Sequence, residues 1–377
     1  MESYQVLEVD SPRLYRQFYR LPARLYAQES RWVPPLWSDE RRGYQSSNPM
    51  LDGVDFTLLL AYDSQDITRE RPLGRLMVYH DRAFNESQGE QVALFGAYDA
   101  VNDRRVTKSL MDRAKVWAAD RGLRGILGPI NPVAEFWGVL IQGFDESAMF
   151  LTPYNYRYYH DNLIMAGLEK AMDLYAYQAD AKTGYTIPHR YQRFRELFFK
   201  RNPGFSLRPF DPRRIDREAD AIYEISNIAL AANWGYVPVS REVMGDMVKR
   251  LRPIIDPRAI WFVEDQGRPV GFCLGWPDFN LVLEKTRGRL LPFGWTHLLT
   301  TLPRVRDYRL FGLAVLPEYH GRGLDALLYM SLYEALAPRG IRLEANWILE
   351  NNHRMNRALV NLGLERTKTY RLYRDSW

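Results

Sequence analysis

Apolar positions along this chain fall into two rhythms, short strand-like runs and helix-spaced stripes, and their clearest alternation lies between residues 310 and 332. Leu310-Phe311-Gly312-Leu313-Ala314-Val315-Leu316 is followed by Pro317-Glu318-Tyr319-His320-Gly321-Arg322-Gly323-Leu324-Asp325-Ala326, then by Leu327-Leu328-Tyr329-Met330-Ser331-Leu332. The order predicts a buried strand, a tight glycine turn and an apolar helix. A strand that feeds a glycine turn at a helix start aims several N–H groups, and the positive end of the helix dipole, at one spot. A pyrophosphate fits there. The alternative is an ordinary turn whose glycines serve backbone geometry alone.

Arg339 to Ile348 reads as the next strand, after a helix stopped by Pro338 and Gly340. Leu349 to Leu364 then reads as an Asn-capped helix with Met355, Leu359 and Leu362 on one face and Gly363 as its stop. Thr367 to Tyr373 alternates as a final strand.

The pattern also repeats. Pro153 to Lys170 lies over the stretch ending Gly363-Leu364-Glu365-Arg366 without gaps, at an offset of 351 − 155 = 196. Upstream, Leu58–Asp63 with Pro72-Leu73-Gly74 matches Ala259–Glu264 with Pro269-Val270-Gly271, at 269 − 72 = 197. Two matches at nearly one offset indicate duplication. The halves differ after the strand Val92–Tyr98, where Asp99-Ala100-Val101-Asn102-Asp103 has no glycine pair and sets two acids at the mouth of the next helix. The expected organisation is a degenerate domain over 1–180, a basic-aromatic connector over 181–215 and a cofactor-competent domain over 216–377. In and just after the connector, ten Lys and Arg from Lys182 to Arg217 face only Glu196, Asp211 and Asp216, and Tyr191, Phe194, Leu197 and Phe198 recur at helical spacing. That helix either rests on an anionic membrane or packs as an ordinary inter-domain helix.

Composition narrows the setting. A length of 377 residues and 46% apolar content suit two globular domains. The single cysteine, Cys273, excludes an internal disulfide framework, and a reducing cytoplasm is expected. Met1-Glu2-Ser3-Tyr4 carries no secretory pattern, and no apolar run approaches the ~20 residues of a membrane span. A net charge of +5 is mild, and no nucleic-acid partner is expected. Six His show no metal spacing, so no metal is expected.

The turn and the segments after it resemble the GNAT acyltransferase superfamily, whose acyl-CoA signature is R/Q-x-x-G-x-G/A. His320 takes the Arg/Gln place, Gly323 the first Gly, and Asp325 departs from the final Gly/Ala. The resemblance implies an α/β fold of tandem GNAT-like domains, with mixed central sheets flanked by helices. It implies acyl-CoA contacts from Leu313, Val315, His320, Gly321, Arg322, Gly323, Leu324, Asp325, Ala326 and Asn352. Asn352, like Asn351, reads equally as a helix cap. A neutral amine attacking a thioester needs a base. Glu344 is the leading candidate, with Asn346 two residues on and on the same face, and Glu350 next; its alternative is a strand carboxylate paired with an Arg such as Arg342. The Tyr that many members use as the acid is replaced by Leu359.

Further strings look like the large two-domain GNAT-like group that includes bacterial ceramide synthases: Asn233-Trp234-Gly235-Tyr236, Gly275-Trp276-Pro277-Asp278-Phe279-Asn280, Glu344 to Asn352, and Pro153-Tyr154-Asn155. This implies transfer of a long-chain acyl group from acyl-CoA or acyl carrier protein to a lipid amine such as a sphingoid base, on the cytoplasmic face of a membrane. Asn233, Trp234, Asp278, Asn280, Trp347 and Tyr154 are the candidate acceptor contacts; a capped turn is the alternative for Asp278 and Asn280, and core packing for Trp347. Rival readings are a small-amine N-acetyltransferase, a Fem-type aminoacyl transferase and a non-catalytic acyl- or lipid-binding module.

Overall fold

The computed structural model describes residues 4–132, 136–238 and 240–377. Its strands are β1 (Tyr4–Glu8), β2 (Asp55–Asp63), β3 (Gly74–His80), β4 (Ala93–Ala100), β5 (Gly125–Gly128), β6 (Ile130–Asn131), β7 (Phe136–Trp137), β8 (Val139–Gln142), β9 (Glu169–Asp180), β10 (Phe205–Pro209), β11 (Ile260–Asp265), β12 (Arg268–Pro277), β13 (Asp307–Val315), β14 (Arg342–Leu349) and β15 (Glu365–Ser376). The helices are α1 (Pro12–Leu25), α2 (Trp37–Gly43), α3 (Arg82–Gln88), α4 (Arg104–Ala119), α5 (Tyr158–Met165), α6 (His189–Arg201), α7 (Ile215–Ala229), α8 (Arg241–Leu251), α9 (Asn280–Thr286), α10 (Thr296–Thr301), α11 (Leu324–Leu336) and α12 (His353–Asn361). Short 3₁₀ turns join several of them.

Two compact units divide the chain. The first contains residues 1–174, 283–294 and 368–377; the second contains 175–282 and 295–367. In the first, the strand order is β1-β2-β3-β4-β5 followed by the end of β15, and Tyr373 to Ser376 pair antiparallel with Gly128 to Gly125. Arg371 forks onto Asp173 at 2.7 and 2.9 Å, which fastens this late segment inside the early unit. The amphipathic α4 covers the sheet, burying Val106, Leu110, Met111 and Ala114 against Leu59, Leu76 and Phe95.

In the second unit the order is β14-β13-β12-β11-β10, with the end of β9 beside β14. Its α11 is buried nearly all round through Leu327, Leu328, Met330, Leu332 and Leu336, as expected for a helix lacking a polar face. The segment 181–215 supplies α6 and β10 to this same unit. Phe198 of α6 is buried in its core, with Tyr191, Phe194 and Phe199 packed around it. Several charges there meet acids from outside the segment: Arg195 pairs with Glu334, and Arg208 reaches Glu264 at 2.6 Å and Glu218 at 2.9 Å.

The repeat has a structural counterpart. β9 and β15 are both twelve residues long and begin 365 − 169 = 196 residues apart, each after a short helix, α5 or α12.

Candidate functional site

Parallel pairing between β13 and β14 runs only from Asp307↔Arg342 to Leu310↔Ala345, although β13 continues to Val315 and β14 to Leu349. Beyond Leu310 the recorded ladder with β14 ends. On the other edge of β13, Leu274 pairs with Gly312 and Gly275 with Leu310, so Phe311 is an extra residue that bulges the strand where the two ladders part. A strand opened in this way offers backbone N–H and C=O groups to a ligand. Leu313 and Val315 lie on that stretch, the first half-buried and the second buried.

Past β13 the chain makes one 3₁₀ turn, Pro317–Tyr319, and enters α11 through Gly321 and Gly323, both at φ +79°. These are left-handed positions that favour glycine. A Cβ on Gly321 would meet nothing within 4 Å among the described residues. Gly323 is the N-cap, so the first N–H groups of α11 have no capping side chain from it. A Cβ there would come within 2.6 Å of the Phe194 ring from α6. A bulky substitution at Gly323 therefore disturbs α6 as well as any ligand.

The neighbouring side chains hold the turn in shape. The His320 ring engages the Val315 carbonyl through Nε2 at 2.8 Å, folding back onto its own strand. Arg322 lies over the Tyr319 ring. Asp325 accepts from the Ala326 N–H at 3.0 Å and faces Arg354 of α12 at 4.0 Å, so its carboxylate has a local donor and a cation. Leu324 is buried at the start of α11. Asn352 caps α12, accepting from the Met355 N–H at 3.1 Å. Leu359, in place of a tyrosine, is buried.

Beside this opening lies a buried charged row. Glu344 is 0% exposed, Arg309 1% and Asn346 2%. The strand register sets Arg309 opposite Glu344. Arg309 Nε donates to Asn346 Oδ1 at 2.5 Å, and Asn346 Nδ2 donates to Glu344 Oε1 at 2.5 Å. The guanidinium also lies 4.9 Å from the Phe311 ring centroid and 4.8 Å from that of Trp347. Arg342, offered as one partner for Glu344, binds Asp307 at 2.8 Å. Arg309 was not singled out by sequence reasoning, because nothing local marks which strand residue will face Glu344.

The remaining candidates are dispersed. Glu350 lies in the turn between β14 and α12. Asp278, in the turn after β12, and Asn280, the first residue of α9, are buried, and Asp278 Oδ1 accepts from the Asn280 N–H at 3.1 Å, the capped-turn arrangement. Asn233 and Trp234 are half-buried in the turn following α7, with the Asn233 N–H bound to the Leu230 carbonyl at 2.8 Å. Tyr154 belongs to the first unit, and burial together with the Glu29 carboxylate pushes its hydroxyl pKa up.

The corresponding place in the first unit is filled. β4 and β5 pair in parallel only at Ala93↔Ile126 and Leu94↔Leu127. There the chain after β5 lies against β4: a Cβ on Gly96 would sit 2.4 Å from the Ile130 carbonyl oxygen, which Tyr79 also binds at 3.0 Å. Asp103 caps α4 through the Arg105 N–H at 2.9 Å. Asp99, expected at that helix mouth, is instead turned inward and bound by Arg75 Nε at 2.8 Å and Tyr26 at 3.0 Å. The pull is the buried Arg75 guanidinium, which binds Asp99 together with Glu40, the latter at 2.9 Å.

A bulged, splayed strand pair followed by a glycine turn and an uncapped helix start suits the diphosphate and pantetheine of an acyl-CoA: the opened edge supplies hydrogen-bonding groups and the helix start supplies N–H groups. The Acetyltransferase (GNAT) family profile matches residues 221–363. A protein described as a bacterial ceramide synthase, from Caulobacter vibrioides (strain NA1000 / CB15N), is 32% identical over 98% of this chain and 96% of its own length. Protein YghO of Escherichia coli (strain K12) is 28% identical over 95% of this chain and 92% of its own. Among solved structures, a tandem GNAT protein from the clavulanic acid biosynthesis pathway matches with a TM-score of 0.58 and 13% identity, covering 99% of this chain and 98% of its own. The chain belongs to the GNAT family and is a GNAT-type acyltransferase. Within that family it resembles the large two-domain group that includes bacterial ceramide synthases. The family's chemistry makes acyl-CoA its co-substrate and an amine its acceptor.

Proposed function

We propose that this enzyme moves a long-chain acyl group from acyl-CoA or an acyl carrier protein to a lipid amine such as a sphingoid base. The observation that carries this reading is the end-to-end similarity to the Caulobacter vibrioides protein. In this reading the N–H groups of residues 321–325 bind the diphosphate beside Ala326, whose own N–H is held by Asp325, and the stretch of β13 beyond its pairing with β14, around Leu313 and Val315, takes the pantetheine. A β13 N–H polarises the thioester carbonyl. Glu344 accepts the proton lost by the attacking amine, and Asn346 holds its carboxylate in place; Glu350 is the reserve base. The thiolate leaves without a tyrosine acid. Asp278, Asn280, Asn233, Trp234 and Trp347 of the second unit contribute acceptor contacts. The protein works at the inner face of a membrane.

The filled cleft in the first unit supports one donor molecule per chain. Titration of purified protein with a non-hydrolysable acyl-CoA analogue is expected to saturate at one equivalent, and two equivalents would mean that the first unit also binds.

Acceptor identity is tested by chain length. Burying a longer chain removes more apolar area from water, at about 25 cal/mol per Å². Turnover is expected to rise steeply with both acyl and acceptor length before levelling. Product from acetyl-CoA with spermidine or an amino sugar, and none from a sphingoid base, would leave the acyltransferase class standing and remove the lipid acceptor.

A further inference from the structure

Between Lys285 and Gly294 the chain does something a water-exposed loop rarely does. Leu291 is 80% exposed and Phe293 76%, a pair of large apolar side chains on one turn. Such side chains crowded onto one exposed segment mark an interaction surface. Lys285, Arg287 and Arg289 precede them, all exposed, and the segment contains no Asp or Glu.

The loop is built rather than slack. Its stem is held where the Trp37 N–H and indole Nε1 bind the carbonyls of Gly288 and Arg287, each at 3.1 Å. Gly288 presses on Pro35, since a Cβ there would lie 2.1 Å from the Pro35 carbonyl oxygen. At Gly294 the chain returns against Arg289, with 2.1 Å between an added Cβ and the Arg289 carbonyl oxygen. Leu291, Pro292 and Phe293 are therefore carried out on a closed turn.

We propose that the turn over residues 285–294 of the first unit is a membrane-docking loop, in which Leu291 and Phe293 enter the headgroup–acyl boundary and Arg287 and Arg289 bind anionic headgroups. An apolar tip with a basic collar and no acid has the charge complementarity of an anionic bilayer surface. By contrast α6, whose basic-aromatic pattern raised the same possibility, turns Phe198 into the core and pairs Arg195 with Glu334. The proposal deepens the lipid-acceptor reading by placing the enzyme where such an acceptor resides.

The test is flotation of the full chain with vesicles of phosphatidylcholine alone and of phosphatidylcholine with phosphatidylglycerol, without any substrate, so it does not depend on the acceptor. The wild type is expected to float with the anionic vesicles and to be released by salt. Leu291→Ser/Phe293→Ser should lower partitioning about tenfold at an unchanged melting temperature, while activity toward a water-soluble short-chain amine persists. Arg287→Gln/Arg289→Gln should abolish most of the preference for phosphatidylglycerol. Equal flotation of wild type and Leu291→Ser/Phe293→Ser, or no difference between the two vesicle types, overturns the proposal. So does a concentration-dependent dimer that the Leu291/Phe293 variant dissolves while vesicles leave the wild type unbound, which would make the loop a contact between copies. Vesicle binding without acylation of a lipid amine would sustain the loop and remove the acceptor; acylation without vesicle binding would do the reverse.

Discussion

Replacing Glu344 by Gln is expected to lower turnover about 10²–10⁴-fold while leaving acyl-CoA affinity nearly unchanged. Glutamine keeps the shape of the side chain and can still accept from Asn346 Nδ2, which in the wild type bonds Glu344 Oε1 at 2.5 Å. It cannot take a proton from the amine. Steady-state kinetics of the variant, with calorimetric measurement of acyl-CoA binding, separates the two effects. A rate near that of the wild type would move the base to Glu350 or Asp278. A fall in affinity matching the fall in rate would make Glu344 a part of the binding framework instead.

Arg309→Met is expected to destabilise the second unit by about 3–5 kcal/mol. Methionine fills much of the volume but withdraws the positive charge from a row in which Glu344 and Asn346 are fully buried. A carboxylate left there without its cation must either stay charged in a poor dielectric or take up a proton. Urea unfolding measures the loss directly. The double variant Arg309→Met/Glu344→Gln should recover part of it, because no charge then remains to compensate; equal midpoints for the single and double variants would show that Arg309 does not balance Glu344.

The strand, turn and helix from Leu310 to Leu332 were legible because an apolar run, two closely spaced glycines and a second apolar run each have a local meaning. Asn352 was legible as a cap for the same reason, since a cap is recognised within three residues. Arg309 was not. Its meeting with Glu344 depends on the register of two parallel strands separated by α11, and no short window contains both. The connector looked unbalanced in charge because Glu218, Glu264 and Glu334 lie outside it along the chain. The loop tip at Leu291 and Phe293 has the composition of core, and only its exposure distinguishes it.

The division of the chain carries an implication for how the protein is made. Residues 368–377 complete the sheet of the first unit, yet they follow residue 174 by 368 − 174 = 194 positions. On the ribosome, the early half therefore emerges with an unpaired β5 edge and must wait through the whole of the second unit for the strand that closes it. Such an edge is a template for wrong pairing, and its closest imitator in sequence is β9, the duplicated counterpart of β15, which is made first. Duplication has thus given the nascent chain a decoy of its own, and the bidentate Arg371–Asp173 pair, which ties β15 to β9, forms only after the rightful strand has been made.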